Sequence, residues 1–187
     1  MTAERGLIAT AKARLEREVL EIENRTDITD DEKISRIIVI FSSVCAGVAV
    51  QPIPFADIFI LTPLQAFMGT RISAIRGLRL SEKEASDIIK EIMGVVGAGM
   101  IAQQLGIAAA KIFFPIFGGV ATIPVVFGLT YAMGKVMDLY FVNKAQGRKL
   151  SPEQLKRAWS KAKKEGERQG KDKAKDIIEA NRERLSE

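Results

Sequence analysis

The chain contains no histidine and a single cysteine, Cys45. One copy therefore cannot build a histidine-dependent triad, a His-rich zinc site or a disulfide framework. Cys45 lies in the apolar run Val44-Cys45-Ala46, which predicts a buried, unreactive thiol. Charge is missing from long stretches. None occurs from Ile37 to Val50, and between Glu91 and Asp138 there is no acid and only two bases, Lys111 and Lys135. The N-terminus lacks the apolar core of a secretory signal, so the ends of the chain are expected in the cytoplasm. No internal repeat occurs, and few segments read as strand.

What is present is segregated. At 187 residues, 47% apolar and 27% charged, the chain matches one ordinary globular domain with a real core. From Arg148 onward, however, Lys and Arg outnumber Asp and Glu 13 to 8, a surplus equal to the whole net charge of +5. An evenly basic nucleic-acid binder would not show this. The tail also has no aromatic for base stacking except Trp159, so nucleic acid ranks last among its partners. Anionic lipid and an acidic protein remain open for it, beside a simple solvated helix.

Helical periodicity dominates. Ile8, Ala11, Leu15, Val19 and Ile22 recur every three or four residues and predict an amphipathic helix over 4–25. Thr29 and Glu32 form a capping box that opens a helix from about Asp30 to Val50, apolar nearly all round and hence buried in protein or lipid. Ser81 and Glu84 form a second box. The helix it opens runs into Gly94, Gly97 and Gly99, small residues that predict close approach of another helix. From Ile112 to Gly134 come 23 uncharged residues, where roughly 20 suffice to cross a bilayer. Pro115, Gly118, Gly119 and Pro124 predict a break near Gly118-Gly119 and a helix from about Ile123 to Gln146. With residues 92–110 this makes a hydrophobic helical hairpin. Ser151, Pro152 and Gln154 give the strongest helix start in the chain. Residues 163–176 show no apolar face and contain Gly166 and Gly170, which predicts an exposed, weakly held helix or a linker.

One stretch organises the rest: Gln51 to Arg76. Pro52 and Pro54 end the preceding helix, and a new one is expected to start at Pro54. Asp57 then falls in its first turn as a capping carboxylate, with an ion or proton-relay site as the competing reading. Leu61, Gln65, Met68 and Ile72 follow on the same face, and Pro63 predicts a kink or short break. Gln65 reads as a hydrogen-bonded core or interface residue. Asp138, one turn from Lys135 and Tyr131, reads as half of a local pair.

No catalytic, cofactor or metal constellation is found. The nearest approach to a nucleotide motif is Gly128-Leu129-Thr130-Tyr131-Ala132-Met133-Gly134-Lys135-Val136. A P-loop needs four residues between its glycines and Ser or Thr after the Lys. Here five residues intervene, Val follows the Lys, and the segment lies inside a helical pattern.

The pattern PIPFAD-x3-L-x3-Q-x2-M-x3-I, followed by a Gly and a charged helix, resembles a bacterial family, the helical domain of YcjF-type membrane proteins. The resemblance covers about residues 34–145 and includes Pro52, Pro54, Ala56, Asp57, Leu61, Gln65, Met68 and Ile72. It implies an all-helical, often membrane-associated domain that accompanies Era- or dynamin-like GTPases, and it carries no catalytic residues. With no P-loop here, such a GTPase would be a separate protein. The expectation is an all-α bundle of about six to seven helices in three regions: an amphipathic helix over 1–33, a hydrophobic domain over 34–147 and a charged helical tail over 148–187. Its function is expected to be that of a non-enzymatic, membrane-associated accessory protein without cofactors. The alternative is a soluble adaptor or homo-oligomerisation domain that buries the same segments, with conditional insertion into membranes.

Overall fold

The computed structural model describes residues 2–50, 56–97 and 115–186, with side chains described over 12–13, 15–50, 61–97 and 122–180. The described residues form seven helices and no strand. They are α1 (Thr2–Glu23), α2 (Asp30–Ala49), α3 (Ala56–Ile75), α4 (Glu82–Val96), α5 (Pro115–Ala145), α6 (Pro152–Asp172) and α7 (Ala174–Ser186). The protein is an all-α bundle.

Local chemistry sets the helix starts. Thr29, Ser81 and Ser151 each accept from the amide three residues on, while Glu32, Glu84 and Gln154 reach back to the cap amide. The ends are set by glycines at positive φ. At Gly77 (φ 77°) and Gly147 (φ 68°) the chain closes a double turn: Leu78 N–H donates to the Ser73 carbonyl and Arg148 N–H to that of Asn143. Gly97 (φ 65°) caps α4 and donates to the Met93 carbonyl. A residue with a Cβ would be strained at each of these positions.

α5 is the axis of the bundle. It packs mainly on α6 and α2, and also touches α3, α4 and α7. Its 31 residues extend about 46 Å at 1.5 Å each. One buried core draws on Leu15 and Val19 of α1, Phe41 of α2, Met68 and Ile72 of α3, and Ile92 of α4. Phe127 and Phe141 of α5, Trp159 of α6 and Ile177 of α7 complete it. Each such side chain removed from water stabilises the fold by about 1.5–3 kcal/mol.

Three expectations about element boundaries are corrected. α5 runs unbroken through Gly118 and Gly119, where a break was expected. α3 is likewise continuous through Pro63, so the short break that was one of the two expectations there does not occur. Residues 163–172 are neither linker nor weakly held, but the second half of α6, with Gly166 and Gly170 buried. The first arm of the expected hairpin falls largely on residues outside those described.

Candidate functional site

The site with most to say is the contact between α5 and α6. Along α6 the inward positions are Leu155, Trp159, Ala162, Gly166 and Gly170, all buried, at steps of four, three, four and four. This is one helical stripe whose side chains shrink from large to none, so α6 converges on α5 toward its own C-terminus. Opposite it, α5 presents Pro124, Phe127, Gly128 and Tyr131. A Cβ placed on Gly166 would stand 2.7 Å from the Tyr131 Cβ and 2.9 Å from the Gly128 Cα. On Gly170 it would meet the Phe127 Cβ at 2.8 Å and the Pro124 Cα at 2.9 Å. On Gly128 it would stand 3.0 Å from the Glu167 amide nitrogen and 3.1 Å from the Lys163 carbonyl oxygen. Backbone meets backbone here, and only glycine allows it.

Of the glycines expected to play this role, Gly94 and Gly97 do not, and Gly99 lies outside the described residues. A Cβ on Gly94 would find nothing within 4 Å, and Gly97 ends its helix. Close approach occurs instead at Gly128, Gly166 and Gly170, and at two further points on α5. Gly134 leaves room for Ile38 of α2, and Gly69 of α3 receives the Met137 side chain. The P-loop-like glycines thus serve packing. Lys135 beside them donates to the Ser35 hydroxyl at 3.2 Å and stands 5.7 Å from the Tyr131 ring centre.

Polar groups within the bundle are paired. Gln65, half-buried, donates to the Thr130 hydroxyl at 3.4 Å. Cys45 is fully buried, and that burial pushes its thiol up to about 12. Leu61, Met68 and Ile72 are buried on the same side of α3. Pro52 and Pro54 lie outside the described residues, and so does the side chain of Asp57, whose backbone is in the first turn of α3. Asp138 does not pair with Lys135, as its spacing suggested. It accepts from Arg76, the residue just after α3, through two nitrogens, at 2.7 and 3.0 Å, and Arg76 also reaches Asp31 of α2 at 2.7 Å. A second fork joins Arg71 of α3 to Glu23 of α1. Tyr131, 4% exposed, donates to the Glu165 carboxylate at 2.7 Å, and burial together with that carboxylate raises the phenol to about 12.

Sequence reasoning passed over Arg76 and the Gly166–Gly170 pair. The pair was visible as small residues four apart continuing the phase of Leu155, Trp159 and Ala162. Arg76 had no local signal, because its partner Asp138 is 62 positions away.

One stretch of α5, Thr122–Ala145, is long and apolar enough to cross a membrane, and 67% of its most apolar window is buried inside the bundle. That burial fits the core helix of a folded bundle as well as it fits a concealed membrane segment. Among the described residues, no group of three His, Cys, Asp or Glu side chains could hold a metal. No family model, curated protein or solved structure matches the chain.

Proposed function

We propose that this protein is a non-enzymatic helical accessory protein that associates with a membrane through α5. The observation that carries the reading is the sheathing of Thr122–Ala145 by α6. The outer faces of α6 are charged, and its docking stripe holds only Leu155, Trp159 and Ala162 before it shrinks to glycine. Detaching α6 exposes little apolar surface on α6 itself but uncovers Phe127, Tyr131 and their neighbours on α5. Water penalises that uncovering, whereas a bilayer accepts it. The bundle is therefore read as a conditionally inserting one, whose basic C-terminal region stays on the cytoplasmic side. The resemblance to the YcjF-type domain adds a separately encoded GTPase as the partner.

Fractionation followed by carbonate extraction tests the membrane part: retention in the membrane until detergent is added supports it, and release without detergent overturns it. Pull-down with and without GTP analogues tests the partner. Recovery of a GTPase in a nucleotide-dependent manner supports it, and its absence under both conditions counts against it.

The second reading is a soluble adaptor or homo-oligomer. The 67% burial of the α5 window favours it, since a helix already satisfied by its own bundle has no need of lipid. Under this reading α5 stays inside the bundle in the presence of vesicles.

A further inference from the structure

Just beyond the apolar stretch of α5, its C-terminal end, the Gly147 turn and the start of α6 enclose a cavity of about 500 Å³. Buried Leu155 and half-buried Leu150 and Tyr140 give it apolar walls, while exposed Lys144, Arg148 and Lys149 give it positive charge. Two acids of α4 stand near them: Glu91, which accepts from the Tyr140 hydroxyl at 3.4 Å, and Glu84, whose carboxylate feels the charge of Lys144 but is engaged in the Ser81 cap. Among the described residues none of the three cations makes a salt bridge. Arg148 donates to the neutral Gln146 side chain, and Lys144 stands 6.0 Å from the Tyr140 ring centre. The double turn at Gly147 fixes the backbone from which Arg148 and Lys149 project. The negative end of the α5 dipole accounts for a cation in the last turn, which is Lys144. It leaves the two beyond the cap.

We propose that this cavity binds an anionic phosphate diester, the headgroup of an acidic phospholipid. The proposal rests on the reading of α5 as the membrane-seeking helix. Three cations attract one phosphate, and the walls of Leu150, Leu155 and Tyr140 suit the glycerol and first acyl carbons rather than a bare ion. The cavity is walled by α4 and α6 as well as α5, so it belongs to the closed bundle and would seat the headgroup at the membrane surface before α6 leaves α5.

The test is vesicle co-sedimentation of the full chain. Phosphatidylcholine alone is compared with phosphatidylcholine carrying phosphatidylglycerol. The cavity variant combines Lys144→Gln, Arg148→Gln and Lys149→Gln. A control combines Lys156→Gln, Lys161→Gln and Lys164→Gln, removing equal charge from exposed positions of α6. Partition onto anionic vesicles should fall about a hundredfold for the cavity variant and only a few-fold for the control. Equal losses in the two variants, or wild-type partition by the cavity variant, would overturn the site. Binding of glycerol phosphate in solution without vesicle binding would assign the cavity to a soluble ester and overturn the lipid source. Cavity-dependent vesicle binding by a wild-type protein that carbonate still releases would uphold the site while removing the insertion of α5.

Discussion

Gly166 of α6 lies so close to Gly128 of α5 that a Cβ on the first would stand 2.9 Å from the Cα of the second. The neighbouring obstacle, the Tyr131 Cβ at 2.7 Å, is equally fixed to backbone, so neither can rotate away. The two helices would have to separate to admit one methyl group. Against this stands the gain of about 1 kcal/mol in helix propensity when Gly becomes Ala. Overpacking costs typically 1–3 kcal/mol, and with two backbone-fixed obstacles it wins. Gly166→Ala and Gly170→Ala should each lower stability by about 1–2 kcal/mol in urea titration. Gly94→Ala, in open space near the end of α4, should instead raise it by about 0.5–1 kcal/mol. A gain at Gly166 equal to that at Gly94 would show that the seam is looser than this.

Arg76 ties the end of α3 to α5 and to the start of α2, and its two acids are not equivalent. Asp138 is 19% exposed at its side chain and held by a two-pronged fork, whereas Asp31 is 80% exposed and touches one nitrogen. Water screens the second pair and largely spares the first. Double-mutant cycles with Arg76→Met should give a coupling of about 1–2 kcal/mol with Asp138→Asn. The coupling with Asp31→Asn should be below about 0.5 kcal/mol. Comparable couplings would mean that the fork is not held in solution.

The helix caps predict a specific response to acid. Glu32 and Glu84 are held below the ordinary carboxylate value of 4.5 chiefly by the backbone amides of Thr29 and Ser81. A carboxyl depressed in the folded state contributes stability that is present above its unfolded value and lost as pH falls through the folded one. The third cap uses Gln154, which accepts the Ser151 amide at 2.8 Å without a charge to titrate. The double variant Glu32→Gln and Glu84→Gln should therefore lose less stability than wild type between pH 5 and about pH 3, by urea midpoint. Parallel loss in the two proteins would show that these caps do not titrate with folding.

The starts of α2, α4 and α6 were readable because capping is local: the donor and acceptor sit three residues apart. The second half of α6 was misread for a physical reason. A hydrophobic count gives glycine no weight, so Gly166 and Gly170 looked like an interruption of the stripe begun by Leu155, Trp159 and Ala162. In the bundle their lack of side chain is what lets α6 dock. Gly118 and Gly119 misled in the opposite direction, since paired glycines lower helix propensity, yet α5 continues through them. Arg76 and Asp138 were invisible as a pair because nothing local joins positions 62 apart. Of the stretch from Gln51 to Arg76, the burial of Leu61, Met68 and Ile72 followed from helical phase, but the reach of Gln65 to Thr130 needed the position of α5.

If α6 is the sheath of a membrane-seeking α5, loosening the seam should favour lipid over the closed bundle. Gly166→Leu places a branched side chain against Tyr131 and the Gly128 backbone, which forces α6 outward. Trp159, the only tryptophan and 8% exposed on the same stripe, reports the movement through its fluorescence. Global destabilisation must be separated from uncovering. Ile92→Ala provides that comparison, since Ile92 is fully buried on α4 rather than on either helix of the seam, and its truncation should cost about 2–5 kcal/mol. With vesicles present, Gly166→Leu should show both altered Trp159 emission and a larger carbonate-resistant fraction than wild type. Ile92→Ala should show no comparable rise at equal loss of stability. Equal rises would mean that any unfolding drives the chain onto lipid, and α6 would then be an ordinary bundle helix rather than a sheath.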